Sequence, residues 1–238
     1  MKSALTIMFA CALSVSTASY AETATQIQTS SHIQTSGHTQ TSSYTQAAGG
    51  ALTRLQTRWA EVNYQLKDKA QVAAYEELLE EADTFVQQEP NNAELLIWSG
   101  IIKSSYAGAK GGLGALQYAK ASKADLEKAI AINPKALQGS AYTSLGTLYF
   151  KVPGWPIGFG DDDKAEQLLN MALQINPDGI DPNYFYGEYL REHKKYADAV
   201  RYYHKAQQAP ARPGRELADQ GRHSDIEKAL TDAEKHLK

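Results

Sequence analysis

Cysteine is nearly missing from this chain of 238 residues: Cys11 is the only one. It lies in an N-terminal run that is expected to be removed, which leaves a mature protein with neither a disulfide nor thiol chemistry. No apolar run reaches the roughly 18 residues needed to span a bilayer. Positive charge is not in excess, since the formal net charge is −3. That balance gives no general basic surface for nucleic acid or an anionic membrane. No Gly-x-Ser-x-Gly occurs, and His193, His204, His223 and His236 show no His-x-x-x-His spacing. The motifs of a serine hydrolase and of a helical zinc site are therefore absent. Between Thr23 and Thr53 there is no Asp, Glu, Lys or Arg, and proline first occurs at Pro90. Against these gaps, 42% of the residues are apolar and 21% charged, enough to build a core.

The first segment reads as an address. Lys2 is followed by an uncharged, mainly apolar run from Ala4 to Val15, and then by small residues at Ser19 and Ala21. This is the pattern of a secretory signal at 1–21, cut after Ala21. Cys11 sits inside the apolar run, too early for a lipidated cysteine. Cleavage removes Lys2 and no acid, which takes the net charge from −3 to −4. An exported chain without cysteine points to the periplasm, with no transmembrane segment in the mature protein.

Residues 22–50 read as a disordered tether. A six-residue unit recurs as Gln28-Thr-Ser-Ser-His-Ile, Gln34-Thr-Ser-Gly-His-Thr and Gln40-Thr-Ser-Ser-Tyr-Thr, and the stretch ends at Gly49-Gly50. It cannot bury enough apolar area to offset its ordering entropy. His32 and His38 occupy equal places in the unit, but two histidines on a mobile chain make a poor metal site. No metal or cofactor is expected.

From residue 51 to 238 the apolar period is that of helices. Leu52, Leu55, Trp59, Val62 and Leu66 form one stripe, and Val72, Tyr75, Leu79, Ala82 and Val86 a second. Pro90, Pro134, Pro177 and Pro210 close similar phrases, which suggests an array of helix pairs.

These residues resemble the tetratricopeptide repeat, a helix-turn-helix unit of about 34 residues. Tyr142, Leu145, Gly146 and Tyr149 match its first helix; Ala165, Leu169 and Ala172 match its second, and Pro177 its terminal proline. Gly187, Ala199, Tyr203 and Ala206 match the next unit, and Gly100, Leu126, Ala129 and Pro134 the one before. The small residues let paired helices approach closely, and the prolines stop the second helix. The expected fold is therefore all-α: a solenoid of about four antiparallel helix pairs and a C-terminal capping helix. In the tail, Ser224-Asp-Ile-Glu227 reads as a capping box that opens this last helix, with Ile226, Leu230, Ala233 and Leu237 as its stripe. Arg212, Arg215 and Arg222 read as a solvated linker pairing with helix acids, with an anion site as the other reading.

Departures from the repeat mark candidate sites. Gly187 and Ala199 are twelve residues apart, whereas the equivalent spacings Gly146 to Ala165 and Gly100 to Ser122 are nineteen and twenty-two. The extra residues fall between the two helices of neighbouring units and would form two rim loops side by side. One carries Gly108, Lys110 and Leu113; the other carries Trp155, Ile157 and Phe159. Insertions of this kind often lie on a binding face, and the alternative is that they cap helix ends. Lys110-Gly-Gly-Leu-Gly lacks the order of a phosphate-binding loop. On the concave side, the first helices would present Ile97, Ile101, Thr143, Thr147, Phe150, Tyr184 and Arg191. No Lys, Arg and Asn cluster suited to a peptide carboxylate is among them. An apolar or amphipathic ligand, or a protein helix, fits better.

The other features have structural readings. Tyr184 to Tyr203 holds six tyrosines, read as packing of the last pair. Asp161-Asp-Asp suits a helix N-terminus, and Asn176-Pro-Asp-Gly is a turn. No catalytic residue is assigned. As a whole the chain resembles the exported proteins grouped with the T component of TRAP transporters, through Tyr106-Ala-Gly-Ala-Lys-Gly-Gly-Leu-Gly and Val152-Pro-Gly-Trp-Pro-Ile-Gly-Phe-Gly-Asp. That resemblance implies a non-enzymatic periplasmic protein that pairs with a solute-binding protein and encloses an apolar pore. The expectation is a scaffold for a protein partner, with a carrier of a small apolar ligand as the alternative.

Overall fold

The computed structural model describes residues 39–112 and 114–237. The expected signal at 1–21, much of the expected tether, and Leu113 of the first rim loop lie outside the described residues. Helices succeed one another without a strand among those residues: α1 (Thr39–Gln65), α2 (Asp68–Gln88), α3 (Ala93–Lys110), α4 (Ala115–Ile132), α5 (Ser140–Lys151), α6 (Asp162–Ile175), α7 (Ile180–Glu192), α8 (Tyr196–Gln207) and α9 (Glu216–Lys235). The first eight form four consecutive pairs, the solenoid that the repeat spacing predicts. A short 3-10 turn, Ala136–Gly139, precedes α5.

Local chemistry fixes the boundaries. The Asn92 side chain accepts from the Glu94 and Leu95 amides at 3.0 and 3.2 Å and opens α3. Asp161 accepts from the Lys164 amide at 3.0 Å and opens α6. Asn133-Pro134 and Asn176-Pro177 follow directly on α4 and α6, where the residue before a proline leaves the helical region. Within each pair a missing side chain sets the approach. A Cβ on Gly100 would stand 2.7 Å from Leu126 Cγ, one on Gly146 2.8 Å from Leu169 Cγ, and one on Gly187 2.6 Å from Tyr203 Cε1. Those are the anchors by which the sequence resembles the repeat, and each pair closes on them.

Three boundaries differ from the sequence reading. Helix α1 starts at Thr39, inside the segment read as a tether. From there to Ala48 no Gly or Pro intervenes, and a helix already nucleated downstream extends at little cost per residue. Secondly, the first rim loop is almost absent. Gly108 and Lys110 belong to α3, and the turn begins only at Gly111 and Gly112, where φ is 61° and 66°. A single glycine costs a helix about 1 kcal/mol, so Gly108 does not stop α3, and the extra residues lengthen helices. Thirdly, α9 starts at Glu216, so Ser224 and Glu227 lie within it and form no capping box.

Helix α9 also does more than cap. It packs on α8 and α7, and it returns to α1. Ala218 belongs to the apolar cluster of α1 to α3, around Leu55, Trp59, Leu95 and Trp98. Ile226, Ala229, Leu230 and Ala233 belong to the cluster of the later helices. Gly221 lets α9 lie against α1: a Cβ there would stand 2.4 Å from Tyr64 Cδ1. The last helix thus joins the two ends of the array. Replacing Gly146 by Val should cost about 1–3 kcal/mol by overpacking α5 on α6. Gly221→Val should cost a similar amount by pushing α9 off α1. Denaturant unfolding of both variants measures this, and unchanged midpoints would refute the close approaches.

Candidate functional site

Closing the array leaves a groove of ≈ 2270 Å³, walled by the first helices of the pairs, by α9 and by the segments around 152–157 and 210–215. Its lining is graded. At the α1/α3 end it is aromatic. Trp59 meets Tyr64 and Trp98 edge-on at 5.7 and 5.6 Å between ring centroids. Its indole N–H donates to Ser105 Oγ at 2.9 Å. Tyr75 donates to Asn63 Oδ1 at 2.8 Å. The middle is rich in hydroxyls, several of them bonded to their own helix: Ser104 and Ser105 donate to the Ile101 carbonyl, and Thr147 to that of Thr143. The α7 end is charged.

At that end Glu188 accepts from Arg191 at 2.9 Å and from the Tyr203 hydroxyl at 2.6 Å, and Lys151 stands 3.8 Å away. Burial alone would raise its pKa, but the Arg191 hydrogen bond and the charges of Lys151 and Arg191 hold it below the usual carboxylate range. Arg191 also reaches Asp232 of α9 at 3.3 Å.

Asp181, in the first turn of α7, is the hub of a second network. Arg212 Nη1 donates to its Oδ2 at 2.6 Å, and Arg222 Nε to its Oδ1 at 2.9 Å. Arg212 also donates through Nε and its backbone N–H to Asp219, at 2.7 and 2.8 Å. Arg222 bonds Asp225 at 3.1 Å and lies over the Tyr184 and Phe185 rings at 4.4 and 4.7 Å. The Tyr64 hydroxyl of α1 donates to Asp225 at 3.4 Å. Burial works to raise the Asp181 pKa, yet the two guanidinium groups hold it well below the usual range. The pairing of Arg212 and Arg222 with helix acids is as the sequence reading expected; the burial of Arg222 is not.

The candidate residues are distributed as follows. Ile101, Thr143, Thr147, Phe150, Tyr184 and Arg191 line the groove, as does Ile157. Ile97 does not: it is fully buried in the core cluster that joins α3 to α5, because α3 is met there by α5 and the 3-10 turn. Lys110 is not on a loop. Its Nζ is engaged within the protein, donating to the Tyr106 hydroxyl at 2.7 Å and facing Glu76 at 3.6 Å. The second loop divides. Phe159 packs edge-on against Tyr149 at 5.5 Å, while Trp155 is 90% and Ile157 69% exposed. The loop is firmly built: the Ile157 and Gly158 amides donate to the Gly154 carbonyl, and Gly160 to that of Pro153. It lies against the start of α4, with a Cβ on Gly158 3.5 Å from Leu116 Cδ1.

Sequence reasoning missed Trp59, Tyr64, Tyr75 and Trp98, which line the groove. Trp98 follows Ile97 directly, so a shift of one position on α3 would have found it.

Among the described residues no group of three or more His, Cys, Asp or Glu is placed to hold a metal ion. No helix there is long and apolar enough to cross a membrane.

No protein-family model matches the sequence, and no curated protein matches it. Solved structures do resemble the fold. The tetratricopeptide-repeat protein TTC0263 of Thermus thermophilus superimposes with a TM-score of 0.51 at 18% identity, over 80% of this chain and 95% of that one. Two structures of MamA give TM-scores of 0.40 at 16% and 17% identity, over 79% and 69% of this chain and 92% and 89% of theirs. The fold is a tetratricopeptide-type solenoid.

Asp181→Asn should cost about 3 kcal/mol, because it strips two guanidinium groups, that of Arg222 buried, of their shared carboxylate. The pH dependence has a definite sign. A carboxylate whose folded pKa is depressed adds stability above its unfolded value of about 4, and that stability is lost as pH falls further. The wild type should therefore lose stability below about pH 4 more steeply than Asp181→Asn, as measured by urea titrations across pH.

Proposed function

We propose that the protein is a non-enzymatic periplasmic scaffold that binds a protein partner at the lip of its groove, with Trp155 and Ile157 as the anchors. The observation that carries this reading is the exposure of those two side chains, 90% and 69%, on a hydrogen-bonded loop. A large exposed aromatic on a preformed loop loses little entropy when it is buried by a partner, and Trp is a preferred hot-spot residue. Ile157 also reaches the groove, so one partner element can cover both. The small-residue run to Ala21 and the charge-free stretch after it support export. A periplasmic solute-binding protein is the partner that the sequence resemblance suggests.

A second reading is favoured by the return of α9 to α1, which makes the concave surface a walled groove with aromatic lining at one end. In that reading the protein carries a small apolar ligand, and the lip docks the protein that delivers or receives it.

Trp155→Ala should leave stability within about 0.5 kcal/mol, as for other exposed sites. It should abolish capture of the partner from periplasmic extract. Retained capture would refute the lip as the binding site, and a large loss of stability would make Trp155 a packing residue. Mass spectrometry of the exported protein should give a chain beginning at Glu22.

A further inference from the structure

We infer that the aromatic end of the groove holds an amphipathic organic acid, its carboxylate on Arg215 and its apolar body along Trp98, Ile101 and Trp59. This rests on the carrier reading above and gives that ligand a chemical class.

The basis is an imbalance among the groove's charges. Lys151, Arg191, Arg212 and Arg222 each have a carboxylate within ion-pair distance. Lys67 and Lys228 have interactions as well. Among the described residues Arg215 finds no ion-pair partner, and its Nε is buried with no hydrogen-bond partner. Its guanidinium lies over the Trp98 ring, 4.9 Å from the centroid. Trp98 is itself only 4% exposed, and its indole N–H is also buried without an acceptor. Two buried donors thus meet at one place in the groove wall with no acceptor for either among the described residues. Buried polar groups in folded proteins are almost always paired, so such a site calls for an explanation. Burial and the neighbouring Arg212 push the Arg215 pKa down, and the charges of Asp181 and Asp219 only partly offset them.

The missing component is an anion. A carboxylate matches the planar fork of a guanidinium and gives a charge-assisted pair. The surroundings define the rest of the molecule. Trp59, Trp98 and Tyr75 line this end, and Ile101, Tyr184 and Phe185 add apolar surface to the groove. A small inorganic anion would leave that wall uncovered, and a neutral apolar molecule would leave Arg215 uncompensated. Only a ligand with both parts satisfies both features. Trp155 takes no part, because it does not line the groove.

Calorimetry of the purified full chain tests this with three probes: dodecanoate below its micellar concentration, dodecanol, and acetate. Dodecanoate should bind, and dodecanol and acetate should each bind about tenfold more weakly or worse. Arg215→Gln should lower dodecanoate affinity by about tenfold or more with an unchanged helical circular-dichroism spectrum. Arg215→Lys should restore part of it, and Trp155→Ala should not alter it. Equal binding of dodecanoate and dodecanol would overturn the anion site while leaving an apolar carrier. Undiminished affinity in Arg215→Gln would overturn it too. Binding of none of the probes would overturn the inference and the carrier reading together. If Arg215→Gln does not fold, the comparison of dodecanoate with dodecanol on the wild type decides.

Discussion

The carboxylate of Asp181 is shared by two guanidinium groups, and the shape of the molecule depends on that arrangement. Arg212 comes from the segment after α8, and Arg222 from the middle of α9. Both are drawn to the first turn of α7, where a carboxylate also suits the positive end of the helix. With Arg222 held there, Asp225 meets the Tyr64 hydroxyl and Gly221 lies against the Tyr64 ring. One charge cluster thereby carries α9 across the concave side from the last pair to the first. Burying charges is costly unless each is paired, and here the pairing is near complete: Asp181, Asp219 and Asp225 face Arg212 and Arg222. Such a cluster specifies one seat for α9, where apolar contact alone would permit several.

The consequence is functional. An open solenoid offers a concave surface to a long peptide or a helix. This chain fills part of that surface with its own α9 and keeps a walled groove beneath. Hydroxyls in the middle of the groove bond to their own helix carbonyls, which leaves them less available to a ligand. Among the described residues that line the groove, the buried polar atoms without partners lie at the aromatic end instead, at Arg215 and Trp98. The two most exposed large apolar side chains among the described residues, Trp155 and Ile157, lie at its lip. Two unsatisfied features thus adjoin the groove, one internal and polar, the other apolar and at its lip.

The helix pairs were legible in the sequence because each is written within one short stretch. Gly146 and Leu169 are twenty-three residues apart, and the side chain missing at one makes room for the other. The same holds for Gly187 with Tyr203. The groove's residues on α5 and α7 followed from that register, so Thr143, Thr147, Phe150, Tyr184 and Arg191 were found. Ile97 was misplaced because the register does not say what covers a helix from the next unit. The return of α9 was not legible at all. Its partner Tyr64 lies far upstream, and Gly221 belongs to no repeated phrase. Its stripe from Ile226 onward was visible, but the half that meets α1 carries Ala218 and Gly221, too small to mark an apolar face. The long first rim loop was an overreading of the wide spacing between Gly100 and Ser122: the extra residues extend α3 through Gly108 to Lys110, and an isolated glycine in a well-packed helix is tolerated.

Hydrogen exchange of the backbone amides of α9 tests the closed array most directly. If α9 is bound to both ends, the amides from Ala218 to Ala233 should be protected as strongly as those of α7 and should open together with α1. Exchange across the first half of α9 that is orders of magnitude faster than in α7 would contradict the account. It would mean that α9 caps the last pair only and that the groove stands open.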